Sequence, residues 1–268
     1  MERIVRGECL TAVAVTEPVA GSDVAGIKTS ARRDGDDYVL NGSKIFITNG
    51  VTADLLVVAA RTNSDDPRGL SMFLVESGTP GLSVSRKLDK TGWLSSDTAE
   101  LSFQDCRVPA ANLLGTEHRG FYEVMKNFQN ERLVLSAQCV GAAQKGLDLT
   151  YEWTQSRNAF GKPLFEKQAI RQRLAMQQAR TDAARGLLYH CAWLAEQGVD
   201  ATREVSELKA LAGELVNQVL YDCVQFHGGQ GYMRETPVER MARDARVMPI
   251  GGGATEVMLD EVAKRSII

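Results

Sequence analysis

The chain has 268 residues, of which 44% are hydrophobic and 24% are charged, with a formal net charge of -3. This composition is typical of a folded globular protein and excludes a disordered, collagen-like or coiled-coil chain. The 31 basic and 34 acidic residues form no long block of one sign, so we expect no nucleic-acid partner. No apolar run approaches the roughly 20 residues of a membrane span, and the first ten residues lack the core of a signal peptide. We therefore expect no membrane association and a cytoplasmic protein.

The cysteines and histidines form no pattern of a metal site or a disulfide framework. The five cysteines are odd in number and widely scattered, and none of the three histidines pairs with another at zinc-ligand spacing. We expect no bound metal and interpret the cysteines as small core residues.

Short segments rich in β-branched and aromatic residues occupy residues 1–112. Turn pairs at Asp34-Gly35, Asn41-Gly42 and Asn49-Gly50 separate them at close to hairpin spacing. This spacing favours an antiparallel β-barrel or sandwich over a βαβ sheet. The predicted strands are IKTSARR, DYVLNG, KIFITNG, ADLLVVAART, SMFLVES, LSVSRKL and AELSF.

Residues 113–268 have apolar positions that recur every three or four residues, which predicts helices. We expect helices over 120–151, 168–197 and 201–226, and a short one after residue 254. Long helices with short connections indicate a four-helix-bundle-like domain. The predicted fold class is therefore multi-domain α+β, with a β domain at 1–112 and a helical domain at 113–268.

Glu131 is the acid that is hardest to explain structurally. On a helix, the residues three and four positions away are mostly apolar, namely Asn127, Phe128, Val134 and Leu135. Two interpretations stay open: an ordinary surface acid, or a partly desolvated carboxylate that is a stronger base than usual.

Four further segments each allow a functional and a structural interpretation. The loop TEPVAGSD at 16–23 has amides and hydroxyls suited to a phosphate or the edge of a ring, but also suits a capped turn. KIFITNG places Phe46 and Thr48 on one side of a strand. FHGGQGY at 226–232 allows close backbone approach or simply ends a helix. Arg157 precedes Phe160 at a predicted corner of the bundle.

Taken together and in this order, these segments resemble the acyl-CoA dehydrogenase family. The resemblance spans nearly the whole chain. Six segments carry it: VTEPVAGSDVAGIKT, LNGSKIFITNG, SSDTAELSFQDCRVP, RNAFGKPLFEKQAI, QFHGGQGYMRE and RMARDARVMPIGGGATEV.

The resemblance implies an FAD-dependent α,β-dehydrogenation of an acyl-CoA thioester to the trans-2-enoyl-CoA. In this family a carboxylate takes the α proton while the β hydrogen leaves as hydride to flavin N5. An electron-transferring flavoprotein is the acceptor that the resemblance implies.

The site residues are carried over position by position. The family usually has Trp where Phe46 stands. The residues expected at FAD are Val13, Val15, Thr16, Ser22, Phe46, Ile47, Thr48, Arg157, Phe160, Gln168, Gln225, Gly229, Thr255 and Glu256. Those expected at the substrate are Ser22, Gln129, Asn130, Arg132, Gly252 and Gly253.

The sequence departs from the family at the catalytic base. Most members carry a Glu in a segment like Y-E-G-T, where this chain has Gly252. A minority, typified by isovaleryl-CoA and long-chain dehydrogenases, place the Glu on an earlier helix before an Arg, as Glu131 precedes Arg132 here. The resemblance thus implies Glu131 as the base, with Glu256 the weaker candidate. Gly252 would leave room for a branched or bulky acyl chain.

A second departure is the absence of the N-terminal helical domain that is usual in the family. We expect a truncated fragment, a domain supplied by another polypeptide, or coverage by oligomerisation. The resemblance also implies that each subunit contacts the FAD of its neighbour. We therefore expect a homodimer or homotetramer, with a heteromeric assembly as the alternative. The alternative function is a non-catalytic or half-competent FAD/CoA-binding subunit of a heteromeric acyl-CoA dehydrogenase. Acyl-CoA oxidases and flavin monooxygenases share the architecture and form a third alternative.

Overall fold

A computed structural model describes residues 2–266. After a short helix α1 (Glu2–Val5), one sheet of eight strands dominates the first part of the chain. The strands are β1 (Thr11–Ala14), β2 (Ser30–Asp34), β3 (Asp37–Thr48), β4 (Leu55–Arg61), β5 (Leu70–Glu76), β6 (Leu82–Lys87), β7 (Thr98–Pro109) and β8 (Leu113–Leu114). Each predicted strand segment overlaps a strand, but the prediction of separate strands for DYVLNG and KIFITNG is wrong, because both belong to the single strand β3 and Asn41-Gly42 forms no turn.

The strands lie in the order β6-β7-β3-β2-β4-β5-β8, and β1 adds to β4. Neighbours that are close in sequence pair in antiparallel fashion, as the turn signals predict. The prediction of a wholly antiparallel domain is wrong at β4. There β2 meets β4 in parallel at Ser30 opposite Arg61, and β1 pairs with β4 in parallel from Thr11 opposite Leu55 to Ala14 opposite Val58. No tight turn joins β4 to either of these strands, so hairpin spacing carries no information on their relative direction.

The sheet encloses an apolar core built from alternate positions of its strands. Tyr38 and Leu40 of β3, Val58 of β4 and Phe73 of β5 are at most 2% exposed. The Tyr38 and Phe73 rings contact each other with centroids 4.9 Å apart. Because strand side chains alternate between faces, this core fixes which residues of β1 and β3 remain at the surface.

A buried ion pair fastens the segment after β1 to β3. Lys44 is 0% exposed, and its Nζ donates to Glu17 Oε1 and to the Val15 carbonyl, both at 2.9 Å. The Glu17 carboxylate also accepts the backbone N–H groups of Lys28 and Thr29. Burial opposes ionisation of Glu17, but the Lys44 charge and these hydrogen bonds lower its pKa. Burial lowers the pKa of Lys44 to about 8, despite the nearby carboxylate.

Helices dominate the rest of the described chain, and the prediction of an α+β protein is confirmed. The helix predicted to begin at residue 168 does so and ends one residue early, whereas the one from 120 continues five residues beyond its predicted end. The helices are α2 (Gly120–Ser156), α3 (Gln168–Glu196), α4 (Thr202–His227), α5 (Pro237–Ala245) and α6 (Thr255–Ser266).

Helix α5 was not predicted from the sequence. It has only nine residues, and only two of them, Val238 and Ala245, are buried, so it contains few apolar positions from which to recognise a helix. Its start carries a recognisable signal, because Thr236 precedes a proline at the first helical position.

Helix α4 is the central element of the helical part and contacts α3, α5 and α6. More than half of its residues are buried, including Leu208, Val216 and Leu220. A polar tie joins it to α3, where Asp222 accepts hydrogen bonds of 2.6 Å from Arg173 and from Gln177. None of the helices among residues 2–266 is long and apolar enough to span a membrane.

The chain divides into two compact units, which we call the first unit (up to Lys126) and the second unit (from Asn127). The division falls inside α2. The change of sequence pattern predicts a domain boundary at 112/113 instead. Four cysteines are buried as expected, but Cys9 is partly exposed.

We expect Lys44→Met to destabilise the first unit by about 3–5 kcal/mol, because it leaves the buried Glu17 carboxylate without its counter-ion. The double variant Glu17→Gln/Lys44→Met should cost less than the sum of the single changes, because it leaves no unpaired charge. Urea unfolding followed by circular dichroism measures both. Lys28→Met is the control, since its exposed side chain should change stability by only about 0.5 kcal/mol. Additive single and double variants would contradict a coupled buried pair.

Candidate functional site

In the first unit, a β-bulge exposes an aromatic ring on β3. Between Lys44 opposite Leu101 and Ile47 opposite Ala99, β3 contains one residue more than β7. Phe46 lies in this bulge with φ 60°, and its side chain is 66% exposed. Bulges and left-handed non-glycine residues are enriched next to functional sites, because the strain must be held by the surrounding structure. The predicted flavin-face residue is therefore presented to solvent, while neighbouring Ile47 is buried.

The segment after β1 lies beside this bulge. Ile45 N–H donates to the Thr16 carbonyl at 2.9 Å, next to the Lys44 bond to Val15. Val13 is 48% exposed, Thr16 is partly exposed and Thr48 is exposed, whereas Val15 is buried. The structure thus brings Val15 and Thr16 to β3, leaving apolar and hydroxyl groups at the surface over a rigid support. This arrangement fits one face of a planar, partly apolar ring system.

Ser22 follows a tight turn in the same loop. Glu17 and Ala20 exchange backbone hydrogen bonds of 2.9 and 3.1 Å across Pro18 and Val19. Ser22 is exposed after this turn. The loop continues to Ala25 and Ile27, whose carbonyls accept hydrogen bonds from Arg61. The Ser22 hydroxyl is accordingly offered to solvent by a loop that is fixed at both ends.

In the second unit, a two-stranded hairpin presents Phe160. Its strands are β9 (Asn158–Ala159) and β10 (Lys162–Pro163), and Phe160 and Gly161 at its tip have φ 55° and 77°. Two positive φ values in a two-residue loop are typical of a type I′ turn, which rarely holds a phenylalanine. The Phe160 side chain is 96% exposed, with Lys167 Nζ 5.4 Å from the ring centroid. A large apolar ring held this way is suited to contact a partner molecule.

Three predicted FAD residues of the second unit lie at this hairpin. Arg157 precedes β9, and its carbonyl accepts the Leu164 N–H at 2.8 Å. Gln168 begins α3 directly after the turn that contains Lys167. Arg157 and Gln168 are both exposed.

The end of α4 is tied to the same corner. Trp153 Nε1 donates to the Phe226 carbonyl at 3.1 Å, and its ring stacks on His227 with centroids 5.2 Å apart. Gln225 and Gly229 flank these two residues and are exposed. The structure therefore places all five predicted FAD residues of this group, from Arg157 to Gly229, at one end of the second unit.

Glu131 lies on α2 and is half-buried, which excludes a fully solvated surface acid. Its Oε1 accepts a hydrogen bond from Asn127 Nδ2. Burial raises the pKa of Glu131, while the Asn127 hydrogen bond and the Arg132 charge oppose this rise without cancelling it. A raised pKa makes a carboxylate a stronger base, which suits proton abstraction.

Arg132 has a buried donor without an acceptor. Its Nε is buried and makes no hydrogen bond with any of the residues 2–266. Burial lowers the pKa of Arg132, with Glu261 and Glu131 opposing the effect. An unsatisfied buried N–H costs about 1–3 kcal/mol, so an acceptor atom of a ligand at this position would be stabilising.

Gln129 and Asn130, the other predicted substrate residues of this helix turn, have different surroundings. Gln129 Nε2 donates to Thr202 Oγ1, which in turn donates to Asp200 at the start of α4. Asn130 is exposed. The Gln129 amide thus already stabilises the second unit, whereas Asn130 remains accessible.

The glycine turn, residues 248–253, contacts the helix turn that follows Glu131. Gly252 has φ 64°, and a Cβ atom built on it would lie 2.3 Å from Leu135 Cδ1. A Cβ atom on Gly253 would lie 3.2 Å from Arg132 Nε. The expectation that Gly252 leaves open room for a bulky acyl chain is therefore wrong next to its Cα, because Leu135 occupies that volume.

Thr255 and Glu256 begin α6 after this turn. Thr255 N–H donates to the Pro249 carbonyl at 3.0 Å, and its hydroxyl reaches Glu214 at 3.3 Å. Glu256 is exposed. As a candidate base it therefore lacks the partial burial that distinguishes Glu131.

Sequence reasoning missed three residues of α4 that contact the glycine turn or the segment before it. Lys209 donates to the Met248 and Gly253 carbonyls, Gly213 lies against Pro249, and Asn217 donates to the Ala245 carbonyl at 2.9 Å. They recur every four residues and so share one helix face. The signal was the pattern K-x3-G-x3-N within an otherwise apolar face.

Comparisons with known proteins match both parts of the chain to one family. The family model "Acyl-CoA dehydrogenase, middle domain" matches residues 12–106, and "Acyl-CoA dehydrogenase, C-terminal domain" matches residues 118–267. The chain is 43% identical to "Long-chain specific acyl-CoA dehydrogenase, mitochondrial" of Sus scrofa, over 97% of this chain but only 61% of that protein. It is 40% identical to "Isovaleryl-CoA dehydrogenase, mitochondrial" of Pongo abelii, over 96% of this chain and 62% of that protein.

Solved structures are similar over the whole described fold. A probable acyl-CoA dehydrogenase from Mycobacterium abscessus has a TM-score of 0.97 and 44% identity, covering 98% of this chain and 70% of that one. The FAD complex of PigA has a TM-score of 0.95 and 32% identity, covering 99% of this chain and 70% of that one. The chain thus spans about three-fifths of the length of the two curated relatives above.

We expect Gly252→Ala to destabilise the second unit by about 1–2 kcal/mol, because alanine is strained at positive φ and its Cβ displaces Leu135. Gly141→Ala is the matched control, since Gly141 lies within helix α2 with open space around its Cα. Alanine there should be neutral or stabilising by up to about 1 kcal/mol. Thermal and urea unfolding of both variants provide the measurement. Equal stability of the Gly252→Ala variant and the unsubstituted protein would contradict the packing described.

Proposed function

Because the chain belongs to the acyl-CoA dehydrogenase family, we propose that it binds FAD and acts in α,β-dehydrogenation of an acyl-CoA thioester to the trans-2-enoyl-CoA. Glu131 is the base in this proposal. The observation that carries the assignment is the half-buried Glu131 with its raised pKa, beside Arg132. The usual position of the base holds Gly252 instead.

The residues of the first unit fit a flavin. Val13 of β1 and Phe46 of β3 are exposed, and the buried Lys44–Glu17 pair fastens the segment after β1 to β3. The Thr16 and Thr48 hydroxyls are close to them in sequence. Phe46 offers a flat apolar face, and the exposed backbone and hydroxyl groups beside it can bond the polar edge of a ring. When bound, FAD supplies the hydride acceptor for the β hydrogen. Ile47 supports the bulge from the buried side rather than touching the ring.

Glu131 removes the α proton of the substrate. The thioester carbonyl acidifies this proton, and desolvation makes the carboxylate more basic. The Asn127 amide holds one carboxylate oxygen, leaving the other to accept the proton. Arg132 Nε, a buried donor without an acceptor, is available to a substrate oxygen.

The names of similar proteins, rather than the shape of a cavity, narrow the class of acyl chain. Two relatives with 40–43% identity are named for long-chain and isovaleryl substrates. We propose a branched short-chain or a medium-to-long acyl-CoA. Ser22 and Asn130, both exposed, are the remaining polar contacts assigned to the substrate, whereas Gln129 supports the helix turn from behind.

The partners follow from the same proposal. An electron-transferring flavoprotein takes the electrons, and the Phe160 corner contacts the FAD of a second copy of the chain. The 96% exposure of Phe160 supports this, since an apolar ring at a strained hairpin tip gains most when it is covered.

We expect Glu131→Gln to abolish reduction of the bound flavin by acyl-CoA while flavin content is kept. Because the carboxylate is partly desolvated, its neutral isostere should leave the melting temperature equal or higher. The measurement is the visible spectrum under anaerobic conditions before and after addition of isovaleryl-CoA and of a long-chain acyl-CoA.

Glu123→Gln, an exposed change on the same helix, is the control and should reduce flavin normally. Glu256→Gln tests the rival base. Loss of reduction in Glu256→Gln with activity retained in Glu131→Gln would transfer the role to Glu256. Bound flavin that stays oxidised with every acyl-CoA would favour a non-catalytic subunit.

A further inference from the structure

Lys209 is a buried cation that the proposed reaction does not use directly. It is 1% exposed, and its Nζ donates to the Met248 carbonyl at 2.6 Å and to the Gly253 carbonyl at 3.0 Å. A buried ammonium is tolerated only where acceptors replace its water. Both acceptors here belong to the glycine turn, one at each end.

The glycine turn touches the helix turn that carries the proposed base. Gly252 lies against Leu135, and Gly253 lies against Arg132 and Met258. Arg132 and Leu135 follow Glu131 by one and four positions on α2. Close packing in protein interiors transmits small displacements, so a shift of the glycine turn would move this part of α2.

We propose that Lys209 is a positioning residue: it holds the glycine turn against Arg132 and Leu135 and thereby fixes the α2 turn that presents Glu131. The inference rests on the proposed function, because it concerns the placement of the base for that reaction. Lys209 itself touches no reacting atom.

The glycine turn needs such a support because its own sequence is permissive. Gly251, Gly252 and Gly253 carry no side chains that could anchor it, and Gly252 and Gly253 have positive φ. Glycine has the largest conformational freedom of any residue, so an unsupported triplet would sample many states. The Lys209 side chain restrains both ends of the turn with one group.

Asn217 provides a matched control on the same face of α4. Its Nδ2 donates to the Ala245 carbonyl, three residues before the glycine turn, and to the Gly213 carbonyl of its own helix. Removing this amide should loosen the preceding segment without releasing Gly252 or Gly253.

The experiment compares Lys209→Met with Asn217→Leu in the full chain loaded with FAD. Hydrogen–deuterium exchange is measured over residues 248–255, and the rate of anaerobic flavin reduction is measured across a range of acyl-CoA concentrations. For Lys209→Met we expect faster exchange, including the Thr255 amide bonded to Pro249, and a roughly 10- to 100-fold slower reduction at saturating substrate. The half-saturating substrate concentration should change little. Asn217→Leu should show neither effect.

Unchanged exchange in Lys209→Met would overturn the proposal, and so would faster exchange with an unchanged reduction rate. Equal effects of Lys209→Met and Asn217→Leu would mean that Lys209 only stabilises the second unit in general, and this result would also overturn the proposal. Lys209→Gln, which keeps a shorter donor, replaces Lys209→Met if that variant does not fold, and should give intermediate values. If acyl-CoA reduces no flavin in the unsubstituted chain, the proposed function fails. Faster exchange in Lys209→Met would then support only the statement that Lys209 restrains the glycine turn.

Discussion

The Lys44 ammonium has no access to water, so its protons must be accepted inside the first unit, and this requirement organises the surface that we assign to FAD. It is met by Glu17 and by the Val15 carbonyl. These two hydrogen bonds hold the segment after β1 against β3, directly before the bulge at Phe46. The strained, exposed ring therefore has a rigid support, without which the bulge would relax.

The second unit repeats this solution with a different lysine. Lys209 satisfies its ammonium with two carbonyls and in doing so restrains a turn of three glycines. In both units a buried charge, costly by itself, restrains an irregular segment that regular hydrogen bonding cannot fix. The irregular segments are also where the family resemblance places cofactor and substrate.

The chemistry of Glu131 depends on the same packing. Its pKa is raised because burial removes water from the carboxylate, while the Asn127 hydrogen bond and the Arg132 charge oppose this rise. Leu135 Cδ1 lies where a Cβ atom on Gly252 would stand, so a side chain at the usual position of the base would have to displace a residue of the helix that carries Glu131.

Long periodic segments could be predicted from the sequence, as the near agreement of α3 and α4 with their predicted ends shows. The parallel pairing of β1 could not, because it depends on contacts far apart in the chain. Phe46 was identified through the resemblance, but its bulge depends on a register shift against β7 that strand alternation does not encode. Lys209 was missed because a lysine in an apolar helix is ordinarily a surface residue, and only the fold shows which carbonyls it meets.

The most direct test of Glu131 as the base is exchange of the substrate α hydrogens with solvent. The FAD-loaded chain is incubated anaerobically with acyl-CoA in D2O, and deuterium at the α carbon is followed by NMR. Because the proton that Glu131 takes can return after exchange with solvent, the unsubstituted chain and Glu123→Gln should incorporate deuterium, and Glu131→Gln should not. Deuterium incorporation by Glu131→Gln at the rate of the unsubstituted chain would contradict the assignment.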